Sequence, residues 1–203
     1  MNITRLAPLA LLTLAVFGAG SARADTNLLS DGDFESFASQ VADGGYTAIT
    51  AGSNLGAWSV SGQSVDLIRS DGYGRIAGVS VDLAGTPGPG YISQNFNAVA
   101  GTTYQLNWDY SKNGAGADMV VSVGDMSSTF TPASGIAHGS LSWTATSSGL
   151  QSVMFGTSSP SNMGPTLDNV TLTAAVPEPS SYALLMAGIG CVGLVTRRRS
   201  KQA

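Results

Sequence analysis

The stretch "TYQLNWDY", Thr103 to Tyr110, alternates strictly. Tyr104, Leu106, Trp108 and Tyr110 fall on one side, and Thr103, Gln105, Asn107 and Asp109 on the other. Successive side chains of a β-strand point to opposite faces, so a two-residue period with one apolar side predicts a half-buried strand. Similar short runs recur outward from it. Before it lie "SVDLIR" (Ser64 to Arg69), "VSVDLA" (Val79 to Ala84) and "YISQNF" (Tyr91 to Phe96). After it come "DMVVSVG" (Asp118 to Gly124), "SLSWTA" (Ser140 to Ala145), "LQSVMFGT" (Leu150 to Thr157) and "TLDNVTLT" (Thr166 to Thr173). Gly, Asn, Ser and Pro separate these runs, and no long amphipathic helix interrupts the series. The pattern predicts an all-β fold, a β-sandwich or barrel. "SVDL" occurs at Ser64 to Leu67 and again at Ser80 to Leu83, which reads as two neighbouring strands with similar burial rather than a solenoid repeat. "GTPGPG", Gly85 to Gly90, reads as a tight loop.

The two ends do not belong to this pattern. Met1 to Ala24 has one early charge, Arg5, an apolar stretch Leu6 to Gly20, and the small-x-small sequence Ala22-Arg23-Ala24. This predicts a cleaved signal peptide over 1–24, with the mature chain starting after Ala24 at Asp25. At the other end, Pro177-Glu178-Pro179 precedes an apolar helix candidate, Tyr182 to Thr196, and then Arg197, Arg198 and Arg199. Fifteen apolar residues fall short of the roughly 20 that cross a bilayer as a helix. The arginines favour the cytoplasmic side. The domain division is therefore 1–24, 25–175 and 176–203.

Setting the ends aside exposes the charge of the middle. Between Asp25 and Val176 the cations are Arg69, Arg75 and Lys112, against twelve acids, a net charge of −9. Such a surface repels phosphate backbones and excludes nucleic acid as a partner class. It suits divalent cations and neutral partners such as sugars. The one cysteine, Cys191, lies in the tail, so the central part has no disulfide framework. About 150 residues are enough to build a core without one.

Catalytic signatures are sparse, and no catalytic residue is assigned. His138, in "SGIAHGS", is the sole histidine and reads as a loop residue. No Gly-x-Ser-x-Gly elbow accompanies it, and one His without central Cys is too little for zinc. Asp66, Asp82, Asp109 and Asp118 are available carboxylates, but nothing pairs two of them as a glycosidase needs. For Asp66 and Asp82, hydrogen bonding across strands or turns is the simpler role.

"NLLSDGDFES" (Asn27 to Ser36) opens the central part and "GPTLDNVTL" (Gly164 to Leu172) closes it. Between them lie "WSVSGQSVDLI" (Trp58 to Ile68), "SVDLAGTPGPGYISQ" (Ser80 to Gln94) and "AGTTYQLNWDYSKN" (Ala100 to Asn113). In this order and spacing the segments resemble the choice-of-anchor C family, over roughly Asn27 to Thr173. The resemblance implies an antiparallel two-sheet β-sandwich, a jelly roll of the galactose-binding-like type. It also implies a structural Ca²⁺ where the first and last strands meet. Glu35 and Asp168 would supply carboxylates, and backbone carbonyls near Gly32 and Asp33 further oxygens, which suits a hard cation.

Sugar binding is the function such a sandwich implies. Sugars stack C–H faces on aromatic rings while polar groups meet their hydroxyls. Tyr46 and Tyr73, in Gly-rich loop-like stretches, are the stronger aromatic candidates, with Trp58 and Tyr91 beside them. Large aromatics also fill sandwich interiors, the competing reading for Trp58 and Trp143 and the one adopted for Trp108.

The tail resembles a PEP-CTERM sorting signal: Pro177, Glu178 and Pro179, then the helix, then Arg197, Arg198 and Arg199. That resemblance implies recognition by an exosortase-type enzyme after transient insertion in the inner membrane. It also implies delivery to the cell surface or extracellular matrix of a Gram-negative bacterium. The expectation is an exported, non-catalytic sandwich that binds extracellular polysaccharide. The alternatives are an adhesive matrix protein with protein partners and, third, a polysaccharide hydrolase.

Overall fold

The computed structural model describes residues 26–114, 117–175 and 188. The signal-peptide segment with Ala24 and Asp25, and the tail with Pro177, Glu178, Pro179 and the three arginines, lie outside the described residues. Asp25–Val176 forms a compact unit of its own. Among the described residues no helix is long and apolar enough to cross a membrane.

The unit is an antiparallel β-sandwich, with two sheets of six strands each. The strands are β1 (Tyr46–Thr50), β2 (Asn54–Leu55), β3 (Trp58–Gly62), β4 (Ser64–Ile68), β5 (Ser80–Asp82) and β6 (Gly90–Ala98). They continue as β7 (Thr103–Lys112), β8 (Met119–Val123), β9 (Met126–Phe130), β10 (Ala137–Thr144), β11 (Gly149–Gly156) and β12 (Pro165–Ala174). One sheet has the order β1-β4-β5-β12-β7-β10, the other β2-β3-β6-β11-β8-β9.

Each strand predicted by alternation is present, with boundaries moved by a few residues. "VSVDLA" shortens most, to Ser80–Asp82: Leu83 N–H still donates to the Pro165 carbonyl of β12 (3.0 Å), but Pro165 has no N–H to return. Strands β1, β2, β3 and β9 are additions to that reading. In β9, "MSSTF", a polar middle hides the period. His138 is a strand residue, in β10, and not a loop residue. The two "SVDL" segments become adjacent antiparallel strands, with Asp66 opposite Asp82 and Leu67 opposite Val81.

The core lies between the sheets. Val65, Leu67, Val81, Leu106, Trp108 and Leu167 face it from one sheet; Trp58, Val60, Ile92, Val121 and Phe155 face it from the other. Trp58 packs between Phe34 (rings tilted by 47°) and Phe155 (edge-on, 6.3 Å), and Trp108 meets the same Phe155 edge-on at 5.5 Å. Burying such a ring contributes roughly 1.5–3 kcal/mol each, enough to hold Phe34 in a left-handed backbone conformation (φ 54°) that bulky residues avoid. The first segment is laced to the last strand. Leu28 N–H donates to the Leu172 carbonyl (2.8 Å), and the Asn27 side chain bonds the Leu172 N–H (2.9 Å) and the Val170 carbonyl (3.3 Å).

Candidate functional site

The site stands on the outer face of the β1-β4-β5-β12-β7-β10 sheet. Val65, Leu67 and Val81 point inward, so the strand period turns Asp66, Ile68 and Asp82 outward. These outward residues are nevertheless buried, because three loops fold over them. The first loop, "SDGYG", makes a short 3₁₀ turn, Asp71–Tyr73. The Ser70 hydroxyl caps it by accepting from Gly72 N–H, and Gly74 ends it at φ 75°. Only glycine suits that position: a Cβ there would lie 2.3 Å from the Lys112 carbonyl oxygen. The second loop is "GTPGPG", with a cis Thr86–Pro87 bond. The third brings Asn162 and Met163.

Between the loops is a cleft of about 210 Å³. Its mouth carries Tyr46, from the start of β1, and Tyr73, from the 3₁₀ turn. Their rings meet edge to face, 5.6 Å apart at 89°, and both stay partly exposed, 47% and 36%. Asp66, Asp82 and Asn113 line the cleft beneath them. Asp66 accepts from the Thr86 N–H (2.9 Å) and the Thr86 hydroxyl (3.0 Å), which pins the second loop. Asp82 accepts from Ala84 N–H (2.9 Å) and Asn113 Nδ2 (2.7 Å). Burial pushes the Asp82 carboxyl up to about 7, with the charge of Asp66 adding to it and the Asn113 and Ala84 bonds opposing it. Burial also raises Asp66, against its two Thr86 bonds.

The residues lining this cleft include two acids and no base. It offers acceptors to hydroxyl donors and repels anions, while its mouth offers aromatic faces to apolar C–H surfaces. All four carboxylate oxygens of Asp66 and Asp82 already accept protein donors, which suits positioning better than proton transfer.

A second group of predicted residues is only partly assembled. Glu35 Oε1 accepts from Val79 N–H (2.8 Å), and Asp168 Oδ2 accepts from the Ser80 hydroxyl (2.9 Å) and Ala77 N–H (3.3 Å). Both carboxylates thus converge on the 77–80 turn. Burial raises the Asp168 carboxyl to about 7, with the Glu35 charge adding to it. Carboxylate oxygens are the ligands a hard cation takes, and these two come close enough for the charge of one to act on the other. Gly32 and Asp33 do not join them. The Gly32 carbonyl accepts from Val170 N–H (2.8 Å), and both residues line a separate polar depression with Asn27, Asp31 and Asn169. Among the described residues, no group of three or more His, Cys, Asp or Glu gathers as a metal site.

Two aromatic candidates fall elsewhere. Trp58 is wholly buried, and its Nε1–H donates to the Ser30 (3.0 Å) and Asp31 (3.1 Å) carbonyls, so it is core and not a ligand platform. The alternation in "WSVSG", with Trp58 and Val60 on one side, carried that signal. Tyr91 lies on the other sheet, away from the cleft. Tyr46 is the first residue of a strand, not of a loop.

Residues 27–173 match the family described as "Protein of unknown function (DUF642)". The chain belongs to the DUF642 family. The match has the span of the resemblance seen in the sequence, though under this name and not choice-of-anchor C. Residues 175–199 match the PEP-CTERM protein-sorting motif, which marks an exported protein that is sorted by its C-terminus. No curated protein matches the chain. Solved structures similar to the DUF642 domain include a CBM4 module (18% identity, TM-score 0.42, covering 59% of this chain and 95% of that one). Another is TmCBM61 in complex with β-1,4-galactotriose (12%, TM-score 0.42, 73% and 99%). A third is a family 35 carbohydrate binding module from Clostridium thermocellum (18%, TM-score 0.41, 64% and 98%).

Proposed function

We propose that the DUF642 domain binds extracellular polysaccharide in the Tyr46–Tyr73 cleft, without catalysis. An exosortase-type enzyme processes the chain after transient insertion in the inner membrane and delivers it to the cell surface or extracellular matrix of a Gram-negative bacterium. The observation that carries the binding reading is the cleft itself. Two half-exposed tyrosines, distant in sequence, meet over buried acceptors, an arrangement matched to a sugar's apolar face and hydroxyl edge. A structural Ca²⁺ held by Glu35 and Asp168 is a separate proposal, and it would tie the first segment to β12.

The test is binding of the purified protein to the host's own polysaccharide. Wild type binds saturably; Tyr46→Ala and Tyr73→Ala each weaken binding at least tenfold while the thermal transition stays in place. Equal binding by both variants would sink the cleft reading. Capture of host proteins with no glycan bound would favour the adhesive alternative, and release of soluble sugars would favour a hydrolase.

A further inference from the structure

The charges in the strands are unevenly divided. The β1-β4-β5-β12-β7-β10 sheet holds Asp66, Asp82, Asp109, Lys112, His138 and Asp168; the six strands of the other sheet hold no charged residue at all. In a domain of net charge −9 this calls for a reason. Solvent-facing sheets are ordinarily studded with charge, which keeps them soluble and blocks edge-to-edge pairing.

The register shows what replaces charge. One row crosses all six strands on the outer face: Asn54, Ser59, Ser93, Met154, Ser122 and Ser127, each opposite the next. The row beside it runs Ser61, Tyr91, Gly156, Val120 and Thr129. At the strand spacing, the first row is about 24 Å long. In the second row Tyr91 stands directly opposite Gly156. A Cβ at Gly156 would lie 1.9 Å from Tyr91 Cδ1 and 2.6 Å from Cε1. The ring therefore lies across the glycine and is half-buried.

We infer that this face is a second polysaccharide-binding surface, taking a neutral glycan chain laid across the strands with one sugar stacked on Tyr91. The hydroxyl and amide rows match the hydroxyl edges of such a chain, and the lack of charge matches its neutrality. A second copy of the domain fits less well, since stable self-association faces are markedly apolar and this one is mostly hydroxyl and amide. The surface lies on the opposite outer face of the sandwich from the Tyr46–Tyr73 cleft. One domain then holds two chains at once, and its role becomes cross-linking the polysaccharide, with avidity on any matrix that engages both faces.

The experiment uses protein purified from its host, with insoluble β-1,3-glucan and agarose as neutral probes and polygalacturonate as the anionic one. Three variants are compared with wild type: Tyr46→Ala with Tyr73→Ala, Tyr91→Ala with Ser93→Glu, and Gly156→Ala, which needs only to lift the Tyr91 ring. Wild type and the cleft variant both sediment with at least one neutral polymer and not with polygalacturonate. Adding either face change to the cleft variant removes at least tenfold of the binding that variant retains. Wild type aggregates a soluble neutral β-glucan, whereas cleft and face variants bind it without aggregation. Loss of all binding in the cleft variant, unchanged binding when the face changes are added to it, or no binding of wild type to either neutral polymer overturns the inference. So does a dimer of wild type in sedimentation that Ser93→Glu converts to monomer. A cleft variant that binds and aggregates like wild type counts against the cleft instead.

Discussion

Replacing Asp82 with Asn should stabilise the protein, and by an amount that depends on pH. Asp82 is almost completely buried between β4 and β12, and its carboxyl sits at about 7 in place of 3.8. The folded state therefore keeps a proton that the unfolded chain has released over that interval. Stability from this group is complete below about pH 4 and is lost as pH rises towards 7. At 1.36 kcal/mol per pH unit the interval corresponds to about 4 kcal/mol. Asn is isosteric and uncharged. Its carbonyl can take the Ala84 N–H, and a flip of the Asn113 amide restores the other bond. Urea unfolding of wild type and Asp82→Asn at pH 4 and pH 8 measures the difference. The variant should match wild type within about 1 kcal/mol at pH 4 and exceed it by up to about 4 kcal/mol at pH 8. A difference that does not change with pH would mean that Asp82 ionises normally in the folded state, and the desolvation argument would fail. Glycan affinity measured on the same variant shows whether the negative charge itself serves the cleft.

Other perturbations address the rest of the molecule. Trp58→Ala empties the space between Phe34 and Phe155 and leaves the Ser30 and Asp31 carbonyls without their indole donor. It should cost about 3–5 kcal/mol in urea unfolding, and a loss under 1 kcal/mol would contradict the core placement. If Glu35 and Asp168 hold calcium, adding it should raise the thermal midpoint, chelation should lower it, and Glu35→Gln should abolish the response. Saturation at about a hundred times Kd corresponds to roughly 2.7 kcal/mol, so an unmoved transition in calorimetry removes the site.

Much of the framework was legible locally. In "TYQLNWDY" the apolar side is unambiguous, and Trp108 went to the core as its alternation indicates. "SVDLIR" is harder, because all five residues of β4 are buried. Its period distinguishes two faces, but loops cover the outer one as completely as the core covers the inner. The carboxylates of Asp66 and Asp82 therefore looked like ordinary polar positions, although they line the cleft. Glu35 and Asp168 lie far apart in sequence, and their convergence followed from a resemblance rather than from any local pattern. The Gly32 carbonyl accepts from the Val170 N–H of β12 and Gly32 lines a separate depression, a placement invisible without the partner strand.

The sequence by itself determined the class of fold, the span of the domain and the acidity of its middle, because periodicity and composition are properties of short segments. It also nominated Tyr46 and Tyr73 separately. Only the tertiary structure decided that those two rings meet and that the "SVDL" aspartates stand opposite one another. It alone showed that the charged strands all fall in one sheet. Each of these depends on which strands become neighbours. Strand order is set by packing the whole core at once, and no local stretch encodes it.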